Sequence, residues 1–117
     1  MLENFEVGID IVKINRFKSL PYEENKRFYH KIFNDLEIDY CISFKDPYPH
    51  FAGRFAIKEA VIKSTNKKLN LKDIEIFQEE SRIKIKIKEK LFLSRISLSH
   101  DGDYAIAITI LEKNQTK

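Results

Sequence analysis

Glycine is scarce in this chain: Gly8, Gly53 and Gly102 are the only three in 117 residues. Cysteine and methionine occur once each and tryptophan not at all. These shortages exclude a good deal. The lone Cys41 rules out an internal disulfide and agrees with a reducing compartment. No apolar run approaches the roughly 20 residues that span a bilayer. The opening MLENFEVGIDIV is acidic and has no leading basic segment, so no secretory signal is expected. The expectation is a cytoplasmic protein with no membrane partner. HExxH, CxxC, P-loop and GxGxxG patterns are all absent, and no serine lies in a GxSxG elbow. That removes zinc-hydrolase, thiol-redox, nucleotide-loop and serine-triad chemistry read from motif alone. With glycine this rare, each one marks special backbone geometry or a close approach.

What is present suffices for a modest core. Hydrophobic residues make up 43% of the chain and aromatics 12%, in a length that fits one domain over residues 1–117. Charged residues reach 33%, with a formal net charge of +3. That balance suits an acidic partner or a phosphate-bearing ligand. It falls short of the dense basic tracts of a nucleic-acid binder. The alternating KIKIK stretch could suggest such a binder, but lysines on one strand face more often protect an edge. No nucleic-acid partner is expected.

FEVGIDIV (5–12) reads as a first strand and KINRFKSL (13–20) as a short helix ended by Pro21. EENKRFYHKIF (23–33) carries a helical pattern with Lys26, Arg27, His30 and Lys31 on a basic face. NDLEIDYCISF (34–44) starts a further helix, capped by Asn34 or Asp35. DPYPH (46–50) is read as a turn into the helix FAGRFAIKEAVIKS (51–64). After STNKKLN the period changes to two: LKDIEIFQ (71–78) pairs with SRIKIKIK (81–88), Ile83, Ile85 and Ile87 inward and Lys84, Lys86 and Lys88 outward. RISLSH and YAIAITIL flank Asp101-Gly102, a hairpin signal. One strand, several helices and then about four strands make an α+β fold, a largely antiparallel sheet with helices packed on one face. No internal repeat or low-complexity linker appears.

Two carboxylates stand where apolar residues are expected. Asp10 interrupts VGIDIV, and Glu59 lies on a helix that is apolar or small on every side. A carboxylate in such a place is costly unless it is paired or bound to a metal. Asp10 could instead cap the next helix or pair with Lys13 or Arg16, and Glu59 could pair with Lys63 at (i, i+4). Arg54 and Lys58 are like charges four apart, which repel unless an anion lies beside them. Two carboxylates suggest Mg²⁺, commonly held by one or two carboxylates and substrate phosphates. Physics alone thus points to a phosphate-handling metal site. His100 ends the strand ISLSH, while His30 and His50 read as surface residues.

VGIDIVKINRF, FAGRFAIKEAVIKS and ISLSHDGDYAIAITI together resemble the holo-acyl-carrier-protein synthases, the short bacterial 4′-phosphopantetheinyl transferases. Order, spacing and total length all match, and the core Arg-Phe-Ala-x-Lys-Glu-Ala is the most specific part. The resemblance implies transfer of the 4′-phosphopantetheine arm of coenzyme A to a serine of apo-acyl carrier protein, leaving adenosine 3′,5′-bisphosphate. It implies catalytic roles for Asp10 and Glu59, as holders of Mg²⁺ on the coenzyme A pyrophosphate. It places Arg54, Lys58, Lys63 and His100 around the coenzyme A phosphates and Arg16 against the carrier protein. A homotrimer with shared active sites is also implied. The family's glycine-rich stretch after the KEA helix is replaced by STNKKLN, and its Asn with a Gly-Lys-Pro turn by IFQEESRIKI, with Gln78 near the Asn position. These departures motivate the alternative of a non-catalytic descendant that binds coenzyme A or a carrier protein without transfer.

Overall fold

The computed structural model describes residues 2–65 and 67–113. Asn66, inside STNKKLN, and the last four residues of the expected domain lie outside the described residues. A long first strand, β1 (Phe5–Lys13), leads into four helices: α1 (Asn15–Lys18), α2 (Lys26–Ile32), α3 (Asp35–Ile42) and α4 (Tyr48–Ser64). Five strands follow: β2 (Ile74–Glu79), β3 (Arg82–Ile87), β4 (Lys90–Phe92), β5 (Ser94–Asp101) and β6 (Tyr104–Glu112). They form two three-stranded sheets rather than one, in the orders β1-β6-β5 and β2-β3-β4, and every pairing is antiparallel. The mixed helix and antiparallel-sheet class is therefore as expected, divided between two sheets. Among the described residues, no helix is long and apolar enough to cross a membrane.

The period-two pattern of β1 and β6 explains their placement. Gly8, Val12, Ala105, Ala107, Thr109 and Leu111 point inward and are buried, and α4 lies on that face. Small residues dominate it, which lets a helix approach closely. Five aromatic rings fill the space between α4 and the first two helices. Phe17 sits at their centre, with ring centroids 5.9 Å from Tyr29, 6.0 Å from Phe33, 6.4 Å from Phe51 and 5.4 Å from Phe55. The Tyr29 hydroxyl donates to the Leu20 carbonyl at 2.7 Å, so that its burial leaves no orphan donor. Cys41 is wholly buried, and burial pushes its thiol pKa up to about 12. It is a packing residue rather than a nucleophile.

Local chemistry sets several boundaries differently from the sequence reading. Asn34, not Asp35, caps α3. Its side chain accepts from the Glu37 N–H at 2.9 Å while the Glu37 carboxylate accepts from the Asn34 N–H at 3.0 Å, a capping box. The helix expected over 23–33 is divided, with a 3-10 turn at Tyr22–Glu24 and then Asn25 at φ −138° before α2. Helix α4 begins at Tyr48, so Pro49 occupies its first turn, where a missing N–H costs nothing. Residues 48–50 are therefore helix rather than turn. The β5–β6 loop is Gly102-Asp103, one residue later than the Asp-Gly signal placed it, with Gly102 at φ +59°.

Two further hairpins have turns that carry no glycine. Glu80 and Ser81 join β2 to β3 at φ +52° and +67°, and Lys88 and Glu89 join β3 to β4 at φ +49° and +70°. Both central residues at positive φ is the type I′ pattern, which Asn-Gly satisfies without strain. Left-handed backbone costs a side-chain-bearing residue roughly 1–2 kcal/mol. Ser81→Gly is thus expected to stabilise the fold by about 1 kcal/mol, read as a higher urea midpoint at unchanged slope. An unchanged or lower midpoint would show that the turn is not under strain.

Candidate active site

The site is assembled where β1 crosses α4. Gly8 pairs with Thr109 of β6 and faces α4, and a Cβ at residue 8 would overlap the Ala60 carbonyl. Only glycine allows this approach. Two residues along, on the same face, Asp10 is carried to the helix surface. Its Oδ1 accepts a hydrogen bond from Lys63 Nζ at 2.7 Å, and that ammonium also donates to the Ile9 carbonyl at 3.3 Å. The Asp10 side chain is 14% exposed and that of Lys63 56%, so the pair sits at the rim of the site with its cation on the solvent side. Asp10 therefore pairs with neither Lys13 nor Arg16.

Glu59 stands one turn before Lys63 on α4 and is half-buried. The (i, i+4) pair with Lys63 that the sequence allowed is not formed, because Lys63 turns to Asp10 instead. Among the described residues no side chain pairs with Glu59, which leaves its carboxylate available. No group of three or more His, Cys, Asp or Glu side chains converges anywhere among the described residues. Asp10 and Glu59 are the carboxylates near this crossing, and Asp10 engages Lys63 through Oδ1 alone.

The other cations of α4 divide into two kinds. Arg54 is 4% exposed, and its guanidinium lies 4.1 Å from the Tyr40 ring centroid with no acidic partner among the described residues. Around it are His50 and His100, whose ring centroids are 6.4 Å apart. His100 Nε2 lies 3.1 Å from the Pro49 carbonyl, which accepts a hydrogen bond where Nε2 carries a proton. Gly53 permits this approach of β5, since a Cβ there would stand 3.4 Å from His100 Nε2 and 2.9 Å from Leu98. Burial first, and then the charges of Arg54 and His100, hold His50 below its usual pKa. His50 thus has Arg54 and His100 as neighbours toward the start of α4, while Asp10 and Lys63 meet toward its end, with Glu59 one turn before Lys63.

Lys58 is placed otherwise than the sequence reading expected. Its side chain is wholly enclosed, and its ammonium lies 2.8 Å from Glu37 Oε1. It also donates to the Ile32 carbonyl at 2.8 Å and the Leu71 carbonyl at 3.2 Å. All three donors are used and none has a path to solvent, so a phosphate contact from Lys58 does not fit this geometry. The charge that seemed to repel Arg54 is neutralised from inside the core. Arg16 is exposed on α1, its guanidinium 4.7 Å from the Phe55 ring centroid, near the base of α4.

His50, read from the sequence as a surface residue, is half-buried beside Arg54 and His100. Once α4 is seen to start at Tyr48, His50 lies four residues before Arg54, on the same helical face. It stacks on Phe44 with ring centroids 3.6 Å apart and planes 12° apart. The signal was present in the spacing but hidden by reading Pro49 as a turn.

A carboxylate pair beside cations, along one buried helix, is suited to a substrate that carries several phosphate groups. Residues 6–109 match the model of the 4′-phosphopantetheinyl transferase superfamily. The chain is 40% identical over 111 residues to the holo-[acyl-carrier-protein] synthase of Thermodesulfovibrio yellowstonii, covering 90% of this chain and 96% of that one. It is 37% identical over 123 residues to the holo-[acyl-carrier-protein] synthase of Geobacter sulfurreducens, covering 93% and 98%. The structure of Helicobacter pylori holo-[acyl-carrier-protein] synthase in complex with coenzyme A superposes with a TM-score of 0.75 at 31% identity, covering 91% of this chain and 99% of that one. The protein belongs to the 4′-phosphopantetheinyl transferase superfamily. It is an enzyme, a phosphopantetheinyl transferase of the holo-[acyl-carrier-protein] synthase kind.

Proposed function

We propose that the protein transfers the 4′-phosphopantetheine group of coenzyme A to a serine of apo-acyl carrier protein, with Asp10 and Glu59 as its Mg²⁺-holding pair. The observation that carries the site assignment is the approach of β1 to α4 at Gly8, which brings Asp10 to the helix bearing Glu59 and Lys63. The donor set fits a hard cation: two carboxylates, with one Asp10 oxygen uncommitted and substrate phosphates completing the shell. Bound there, Mg²⁺ would polarise the pyrophosphate and stabilise the departing bisphosphate.

The remaining work falls to this chain's own groups. The serine oxygen attacks the phosphorus that bears the pantetheine arm, and the bond from that phosphorus to the bridging oxygen of adenosine 3′,5′-bisphosphate breaks. Glu59, with no side-chain partner among the described residues, accepts the serine proton. Lys63, more than half exposed, can turn from Asp10 to a phosphate oxygen, and Arg54 and His100 offer N–H donors to the nucleotide end. Transfer of this type rests on positioning and on neutralising phosphate charge, which is what these residues supply. Arg16, with the basic exposed residues of α2, faces an acidic carrier protein, an attraction that salt weakens.

The protein is further proposed to work in the cytoplasm as a homotrimer. Supporting this, Val7, Ile9 and Ile11 of β1 are 59%, 58% and 57% exposed, and beside them Ile106, Ile108 and Ile110 of β6 are each more than a third exposed. An apolar sheet face of this size calls for a cover, and further copies of the chain supply it. The deciding experiment incubates the protein with coenzyme A, Mg²⁺ and a cognate apo-carrier, then records intact masses. Gain of one phosphopantetheine per carrier is expected. An unchanged carrier mass would favour a binding protein without transferase activity. Sedimentation of the same preparation at the monomer mass would overturn the trimer.

A further inference from the structure

Two of the three buried charged side chains among the described residues meet at a point that the transfer chemistry does not use. Glu37 and Lys58 are both sealed from solvent, with Nζ and Oε1 2.8 Å apart. Their remaining bonds reach four places in the chain. Lys58 Nζ donates to the Ile32 carbonyl at the end of α2 and to the Leu71 carbonyl ahead of β2. Glu37 accepts from the Asn34 N–H at the start of α3, at 3.0 Å, and through Oε2 from the Ile76 N–H of β2 at 2.7 Å. One ion pair thus joins α2, α3, α4 and the second sheet.

Burial lowers the Lys58 pKa, and the Glu37 charge opposes that fall. Such a pair gives little net stability, because desolvating both ions offsets their attraction, and an apolar pair of similar volume folds as well or better. Its value lies in direction. An apolar side chain in a core can rotate and slide, whereas an ammonium with three fixed acceptors admits one helix rotation and one axial position. Glu59 is the next residue on α4, and Lys63 follows it by one turn. Any roll of α4 about its axis displaces both against Asp10, which is fixed independently on β1.

We propose that Glu37 and Lys58 are positioning residues of the transfer reaction: their buried pair sets the rotation of α4 so that Glu59 and Lys63 meet Asp10. The pair touches no substrate. This inference rests on the reading of Asp10 and Glu59 as the reactive carboxylates. It also assigns a role to the lysine of the KEA motif that is distinct from phosphate binding.

The test is the double variant Glu37→Leu/Lys58→Met, which replaces the pair by apolar side chains of similar length. Its melting temperature is expected at or above that of the parent. Its kcat is expected to fall tenfold to about a hundredfold, the range for a displacement near 1 Å at the reacting groups. KM for the carrier protein, whose contacts lie on α1 and α2, is expected to stay within about twofold. Mn²⁺ affinity, read by paramagnetic resonance in the presence of coenzyme A, is expected to weaken alongside kcat. Should the double variant fail to purify folded, Glu37→Gln carries the same kcat and Mn²⁺ readings at a lower melting temperature, since it keeps the shape but leaves the Lys58 charge uncompensated. Parental kcat and Mn²⁺ affinity in either folded variant overturn the proposal. Asp10→Asn and Glu59→Gln, run in parallel, separate the two layers. If these retain activity, the assignment of the carboxylates fails on its own account, whatever the ion pair does.

Discussion

Asp10→Ala and Glu59→Ala are each expected to lower the transfer rate by about a thousandfold, within the range for losing a positioned proton acceptor. Both proteins are expected to remain folded. Asp10 loses an ion pair whose cation is more than half exposed, and such pairs contribute about 0–1 kcal/mol. Glu59 has no side-chain partner to lose among the described residues. Raising Mg²⁺ should recover part of the Asp10 defect if the residue serves as a ligand. It should do less for Glu59, which has the proton to accept as well. The measurement is the initial rate of holo-carrier formation by intact mass across a Mg²⁺ titration. Near-parental rates for both variants at low Mg²⁺ would remove these residues from the site.

Gly8→Ala is expected to be the most damaging of the three glycine-to-alanine changes. The new Cβ would overlap the Ala60 carbonyl, and the atoms behind it belong to a helix backbone packed on both sides. Overpacking of this kind costs about 1–3 kcal/mol and more where backbone cannot yield. At least about 3 kcal/mol is expected here. Relief comes only by moving β1 outward, and that movement takes Asp10 with it. Stability and activity should therefore fall together, unlike the Asp10 variant, where activity falls alone. Urea denaturation beside the transfer assay distinguishes the two. A Gly8→Ala protein with the parental midpoint would mean that β1 and α4 are less closely apposed than described.

Much of this was legible in the chain. The period-two runs gave β1, β2, β3, β5 and β6, because alternation follows directly from which face of a strand is buried. Asp10 and Glu59 were conspicuous as carboxylates among apolar neighbours, and the three glycines marked two close approaches and one turn. Other features could not be read this way. The three-residue β4 is too short to alternate, and the turn before it, Lys88-Glu89, contains none of the residues that announce a hairpin. The division into two sheets depends on which strands pair, and pairing is a tertiary outcome. Lys58 misled for a clear reason. On a helix otherwise lined with Arg54, Glu59 and Lys63, a fourth charge suggests a ligand, and its partner, Glu37, lies 21 residues earlier as part of a helix cap. Glu37, inside NDLEIDYCISF, gave no sign in the sequence of either its capping bond or its ion pair.

The alternation of β1 has a consequence for how the protein tolerates change. Even-numbered positions, Gly8 and Asp10 among them, look toward α4, while Val7, Ile9 and Ile11 look away. Substitutions can therefore be sorted by parity: even positions alter chemistry, and odd positions alter what lies against the sheet. Insertions and deletions escape that sorting. One residue added before Gly8 would exchange the two sets, turning the carboxylate outward and presenting isoleucines to the helix. The strand thus accepts mutation one face at a time, but its length is fixed by both faces together.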